Sequence, residues 1–212
     1  MAIVRATLVF LASMFLIWSA NASDPPKKVT VSLYYESLCP FSANFITNYL
    51  KDIFTNGLIS IVDLRLIPFG NAKILDDGSI NCQHGVEECE LNTVEACAIN
   101  VWPDVNDHFK FIYCVEEMVV NGTYREWKKC FDKFDDLESH QLVLDCSSGV
   151  HGRKLEYQYG AETNSLVPAI TGVPSVFVDG KLANDTYAFE TAVCEAYTGE
   201  LPEACQEAKT TD

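Results

Sequence analysis

Val29-Thr30-Val31-Ser32-Leu33-Tyr34-Tyr35 is a run of β-branched and aromatic residues that stops just before Cys39-Pro40, and beyond that pair Phe41, Phe45, Ile46, Tyr49 and Leu50 recur at helical spacing. No junction in the chain is more restrictive. A strand that turns into a helix through Cys-Pro sets a thiol at a helix N-terminus, where unpaired N–H groups and the positive end of the helix dipole favour its thiolate. Pro40 suits the first turn because it has no N–H to leave unsatisfied there. Ser42 completes the motif Cys39-Pro40-Phe41-Ser42. Its hydroxyl can hydrogen-bond and orient a thiolate, but it cannot attack a mixed disulfide and release the product. Cys39 is therefore expected to be a partly exposed nucleophile that works with an outside thiol.

The 212 residues begin with Arg5, an apolar run from Ala6 to Trp18 and the small-residue site Ala20-Asn21-Ala22. This reads as a signal peptide over 1–22, too short for a membrane span, with the mature protein at 23–212 forming one domain. No later stretch reaches the roughly 20 apolar residues that a bilayer requires, so no membrane span is expected. Nine cysteines in a secreted chain imply an oxidising compartment and a disulfide framework. Nine is odd. Setting Cys39 aside leaves Cys82, Cys89, Cys97, Cys114, Cys130, Cys146, Cys194 and Cys205 for four bridges, whose pairing the sequence leaves open. The net charge of −15 argues against nucleic acid as a partner. Asn121-Gly122-Thr123 and Asn184-Asp185-Thr186 are acceptor sites for N-glycans, with Asn121 and Asn184 expected at the surface.

A second strand of alternating pattern at 59–67 completes a strand–helix–strand unit with the first. From Ile170 to Val178 a further apolar run precedes Asp179-Gly180, a hairpin signal, with Lys181-Leu182-Ala183 as the return strand and a last helix over 187–197. Between these regions, at about 75–165, lies helical periodicity and most of the cysteines. Asn92 and Glu95 can form a capping box ahead of an apolar face of Val94, Cys97, Ala98, Val101 and Trp102, ended by Pro103. Phe109, Ile112, Tyr113 and Val119 mark a second helix; Tyr124, Trp127, Cys130, Phe131 and Phe134 mark a third. The whole resembles an α/β thioredoxin-like fold carrying a disulfide-rich helical insertion, as in DsbA-like proteins. In that fold a cis-proline precedes a strand beside the nucleophile, which implies a cis Val173-Pro174 bond near Cys39 and a substrate-binding role for both residues.

The most specific stretch runs from Cys82-Gln83-His84-Gly85 through Glu88-Cys89 and Asn92 to Cys97. Residue by residue it is similar to the signature of the gamma-interferon-inducible lysosomal thiol reductase family, and Tyr34-Tyr35-Glu36-Ser37-Leu38-Cys39-Pro40 resembles that family's approach to its active site. The resemblance implies reduction of protein disulfides in endosomes or lysosomes, or outside the cell. Ser42 departs from it, standing where active members carry the second cysteine of a Cys-x-x-Cys pair. Cys82, His84, Cys89 and Cys97 are zinc-ligand types, but they lack the tight ligand pairs of zinc modules and an oxidising compartment favours disulfides. His84 reads as a structural or loop residue, and His108, His140 and His151 carry no motif. Neither a papain-like nor a caspase-like surround supports a cysteine hydrolase.

The reading is a thiol–disulfide oxidoreductase of the secretory pathway, extracellular or lysosomal/vacuolar, with Cys39 and Ser42 as its site. Its expected partners are disulfide-containing protein substrates and a low-molecular-weight thiol as reductant, with no metal or organic cofactor. The alternative is a non-catalytic secreted binding module whose redox cycle has lapsed.

Overall fold

The computed structural model describes residues 25–208; the signal peptide expected at 1–22 lies outside them. In chain order the elements are β1 (Val29–Tyr35), α1 (Pro40–Asn48), β2 (Val62–Pro68), β3 (Lys73–Ile74), β4 (Ile80–Asn81), α2 (Val86–Val101), α3 (Val105–Val120), a 3₁₀ helix (Tyr124–Lys133), α4 (Leu137–Ser148), α5 (Val150–Asn164), β5 (Ser175–Val178), β6 (Lys181–Leu182), α6 (Phe189–Ala196) and α7 (Glu203–Ala208). The main sheet runs β2-β1-β5-β6, and β3 and β4 form a separate hairpin. β1 and β2 pair in parallel from Val29–Val62 to Tyr35–Pro68, as a strand–helix–strand unit requires. β5 lies antiparallel to β1, with Tyr34 opposite Ser175.

Period-two alternation decides what each sheet face meets. Val31, Leu33 and Tyr35 join Leu64, Leu66 and Val176 in the principal core, packed with Phe45, Ile46, Phe111, Ile112, Phe189 and Val193 from the helices. Tyr34, Ile67 and Phe177 point the other way, where Tyr159, Leu166 and Ile170 cover them. Asp179 and Gly180 both have positive φ, 46° and 76°, the conformation of a two-residue hairpin turn of type I′.

Several boundaries differ from the sequence reading. β2 starts at Val62 rather than Ile59, because Gly57 at φ 87° opens a 3₁₀ turn over Leu58–Ser60. β5 holds only Ser175–Val178; the chain before it contains cis bonds at Val167-Pro168 and Val173-Pro174, and Ile170 packs on the second sheet face instead. Asn92 and Glu95 are not a capping box. α2 begins at Val86, with Gly85 at φ 94° as its cap, so both residues fall mid-helix and are fully buried. Residues 124–133 form a 3₁₀ helix rather than an α-helix. α4, α5 and α7 had no individual signal.

Four disulfides tie the helices together. Cys82–Cys89 closes the turn onto α2, Cys97–Cys146 joins α2 to α4, Cys114–Cys130 joins α3 to the 3₁₀ helix, and Cys194–Cys205 joins α6 to α7. Cys39 is the free cysteine.

Candidate active site

Cys39 caps the N-terminus of α1. Its φ and ψ of −75° and 118° are extended, its carbonyl accepts from Ala43 N–H at 3.0 Å, and Pro40 fills the first helical position. The sulfur thus sits at the end of a helix whose first N–H groups are unpaired, the end that favours negative charge. Cys39 is buried at 5 % exposure, against the partly exposed thiol expected, while neighbouring Phe41 is 66 % exposed. α1 turns Ser42, Ala43, Phe45 and Ile46 inward, and that drags its cap under cover.

Ser42 is fully buried and makes no hydrogen bond to Cys39. Its hydroxyl oxygen accepts from Glu36 N–H at 3.5 Å, so it closes the loop between β1 and α1 rather than orienting the sulfur. Val173-Pro174 is cis and continues β5 past the Tyr34–Ser175 pair, at the end of the sheet where α1 begins. Pro174's carbonyl accepts from Thr186 Oγ1 at 3.4 Å; the Val173 backbone has no hydrogen-bond partner among the described residues. Asn121 and Asn184 are exposed.

The segment before Cys39 is clamped by residues of the Cys82–Cys97 stretch. Tyr35 O–H donates to Glu95 at 2.6 Å, Ser37 N–H donates to Asn92 Oδ1 at 2.9 Å, and Ser37 O–H donates to the Glu88 carbonyl at 3.3 Å. Asn71 N–H donates to Glu36 Oε1, and the Asn71 side chain donates to Gln83 at 2.7 Å. His84 N–H donates to Glu88 Oε1 at 3.0 Å while its ring lies against Glu88 Oε2. Cys82 and Cys89 are bonded to each other and Cys97 to Cys146, so the four zinc-ligand types of this stretch do not form one thiolate set.

Beneath this clamp lie carboxyl groups that the sequence reading missed. Burial pushes Glu36 up to about 7, with the neighbouring Glu88 adding to it. Burial also raises Glu95, Glu116 and Glu156, and the neighbouring Glu95 charge raises Glu116 further. Proximity to Cys39 raises Glu116 as well. Glu156 borders a cavity of about 790 Å³ shared with Cys89, Thr93, Trp127 and Arg153, whose lining does not include Cys39. One signal was available: Glu88, Asn92 and Glu95 are spaced to share a helix face.

Comparison with known proteins decides what this assembly is. Residues 30–134 match the family model of the gamma interferon inducible lysosomal thiol reductase. A gamma-interferon-responsive lysosomal thiol protein of Arabidopsis thaliana is 37 % identical over 206 residues, covering 93 % of this chain and 85 % of that one. The chain belongs to this thiol reductase family. A gamma-interferon-inducible lysosomal thiol reductase of Mus musculus is 33 % identical over 85 % of this chain and 73 % of its own. Among solved structures, DsbA of Chlamydia trachomatis superposes with a TM-score of 0.56 at 11 % identity, covering 89 % of this chain and 90 % of that one. DsbG of Mycobacterium tuberculosis gives 0.55 at 18 % identity, over 94 % and 90 %. This family member therefore has the thioredoxin-like fold with a disulfide-rich helical insertion between β2 and β5.

Proposed function

We propose that the protein is a thiol–disulfide oxidoreductase that reduces or isomerises protein disulfides through Cys39 alone. The observation that carries this reading is that the free cysteine caps a helix N-terminus while the other eight are paired. Its thiolate attacks a substrate disulfide; a bond forms between the Cys39 sulfur and one substrate sulfur, the substrate S–S bond breaks, and the leaving thiolate takes a proton. Ser42 cannot resolve the adduct. A low-molecular-weight thiolate attacks instead, freeing the second substrate thiol, and another regenerates Cys39, so two small thiols become one small disulfide. Attack by a substrate thiolate gives isomerisation without net electron transfer. No metal or organic cofactor enters these steps.

The unpartnered backbone of Val173 supports a role for Val173-Pro174 in pairing with the substrate chain. The acidic charge and the family's lysosomal relatives support a secretory-pathway protein, extracellular or lysosomal/vacuolar, that enters by a signal peptide at 1–22 and folds over 23–212 as one domain. Among the described residues no helix is long and apolar enough to cross a membrane. Exposed Asn121 and Asn184 carry N-glycans in this reading.

The test compares reduction of a protein disulfide, at limiting small thiol, by the wild type, Cys39→Ser and Ser42→Cys. Cys39→Ser loses the activity. Ser42→Cys gains, because an adjacent thiol attacks intramolecularly at a high effective concentration. If neither substitution changes the rate, the redox reading fails and the non-catalytic binding module replaces it.

A further inference from the structure

Two carboxylates converge on one imidazole beside the β1–α1 loop. Glu36 and Glu88 have side chains with no solvent exposure, and each spends one oxygen on a backbone amide: Glu36 Oε1 on Asn71 N–H and Glu88 Oε1 on His84 N–H. Each is thereby left with Oε2 pointing at the same atom, His84 Nδ1, which lies 3.6 Å from Glu36 Oε2 and in contact with Glu88 Oε2. Glu36 Oε2 is buried and has no hydrogen-bond partner. The three atoms lie within 4.8 Å of one another. Ligands held tetrahedrally at 2.0–2.1 Å from a zinc ion stand about 3.4 Å apart, so His84 Nδ1 is already at ligand spacing from Glu36 Oε2, and a small turn of the partly exposed imidazole away from Glu88 Oε2 admits an ion.

We propose that Glu36, His84 and Glu88 form a site for one divalent transition-metal ion, with zinc favoured by the donor set of one imidazole and two carboxylates. The charges balance, since two buried carboxylates and a neutral imidazole are neutralised by one dication. His84, 31 % exposed, gives the ion its entry and leaves room for a water as fourth ligand. The supporting shell is built: backbone amides hold both carboxylates, and Gly70, at φ 55°, leaves the Glu36 side chain a space in which any Cβ would fall 2.3 Å from its Cγ. Cys39 is not among the three ligands, and zinc has no redox chemistry of its own. Its effect is to fasten Glu36, whose carbonyl accepts from Cys39 N–H at 3.3 Å, to the first turn of α2. The site lies outside the disulfide-exchange steps above, and it revises the sequence expectation that His84 is only a loop residue and that no metal binds.

The experiment is calorimetric titration of Zn²⁺ into the folded, fully disulfide-bonded chain in a Cys39→Ser background, so that no free thiol competes. The expected result is one zinc per chain and a higher melting temperature on loading. His84→Ala and Glu36→Gln should weaken binding by about 100-fold or more, beyond the loss that follows removal of an outer-sphere partner. His84 is exposed, so its alanine variant tests the site even if Glu36→Gln does not fold. Absence of zinc uptake, as a bridging imidazolium between the two carboxylates would give, overturns the proposal. So does binding that persists undiminished in His84→Ala.

Discussion

Asn92→Ala removes the acceptor for Ser37 N–H, two residues before Cys39, and leaves a buried amide unpaired. That should lower stability by about 1–3 kcal/mol, measured by urea unfolding, and slow disulfide exchange at Cys39. Asn92→Asp keeps an acceptor and should lose less of both. A variant of unchanged stability and rate would show that the clamp does not position Cys39. At this scale the sequence was legible where a residue type is unusual for its place, as for a thiol at a helix start and a proline before a strand; Ser42 was not, because its hydroxyl turns to the Glu36 amide rather than to the sulfur. It was not legible at Glu36, Glu88 and Glu116, because an acidic side chain read from sequence is taken for a solvated one. Their burial follows from three-dimensional neighbours that no local pattern reveals.

Among the elements, those with an apolar face announced themselves and those without one did not. β1 matches its expected bounds, and α3 carries the expected Phe109 and Ile112 inward. α5 was invisible because the residues it buries are Gly152, Glu156, Gly160 and Thr163, a helical spacing with hardly an apolar side chain in it. Its glycines permit contact rather than supply it. A Cβ at Gly160 would sit 2.7 Å from the Phe69 ring, and one at Gly152 would sit 2.7 Å from Thr93, so α5 packs closely on the sheet and α2 through what it lacks. The capping-box reading of Asn92 and Glu95 failed for a related reason. The pattern is right for a helix start, but Gly85 and the Cys82–Cys89 bridge begin the helix earlier, and the polar pair turns inward to Ser37 and Tyr35.

Over the whole molecule, buried acids set the pH at which the fold is firmest. Burial pushes Glu156 up to about 9 and Glu95 up to about 8, and Glu116 is raised by burial and by the neighbouring Glu95 carboxyl, all above the ordinary value of 4.5. The folded state therefore holds more protons than the unfolded state between about pH 4.5 and 9. Stability is fully present at the acid end and is lost as pH rises through the folded values. Asp77, Asp104 and Asp136 are lowered by hydrogen bonds and act in the opposite sense, but only below pH 4. Melting temperature should fall between pH 5 and pH 8, and Glu156→Gln should flatten the decline; a flat or rising wild-type profile would contradict it. Acid stability of this kind suits an acidic compartment. The nine cysteines give the other molecule-wide constraint, since four bridges leave a single free thiol. The decisive measurement is mass mapping of the folded wild type after reaction with a protein disulfide in the absence of small thiol. A covalent adduct should accumulate on Cys39 and disappear when a small thiol is added; no adduct, or an adduct on one of the other eight cysteines, would contradict the single-cysteine account.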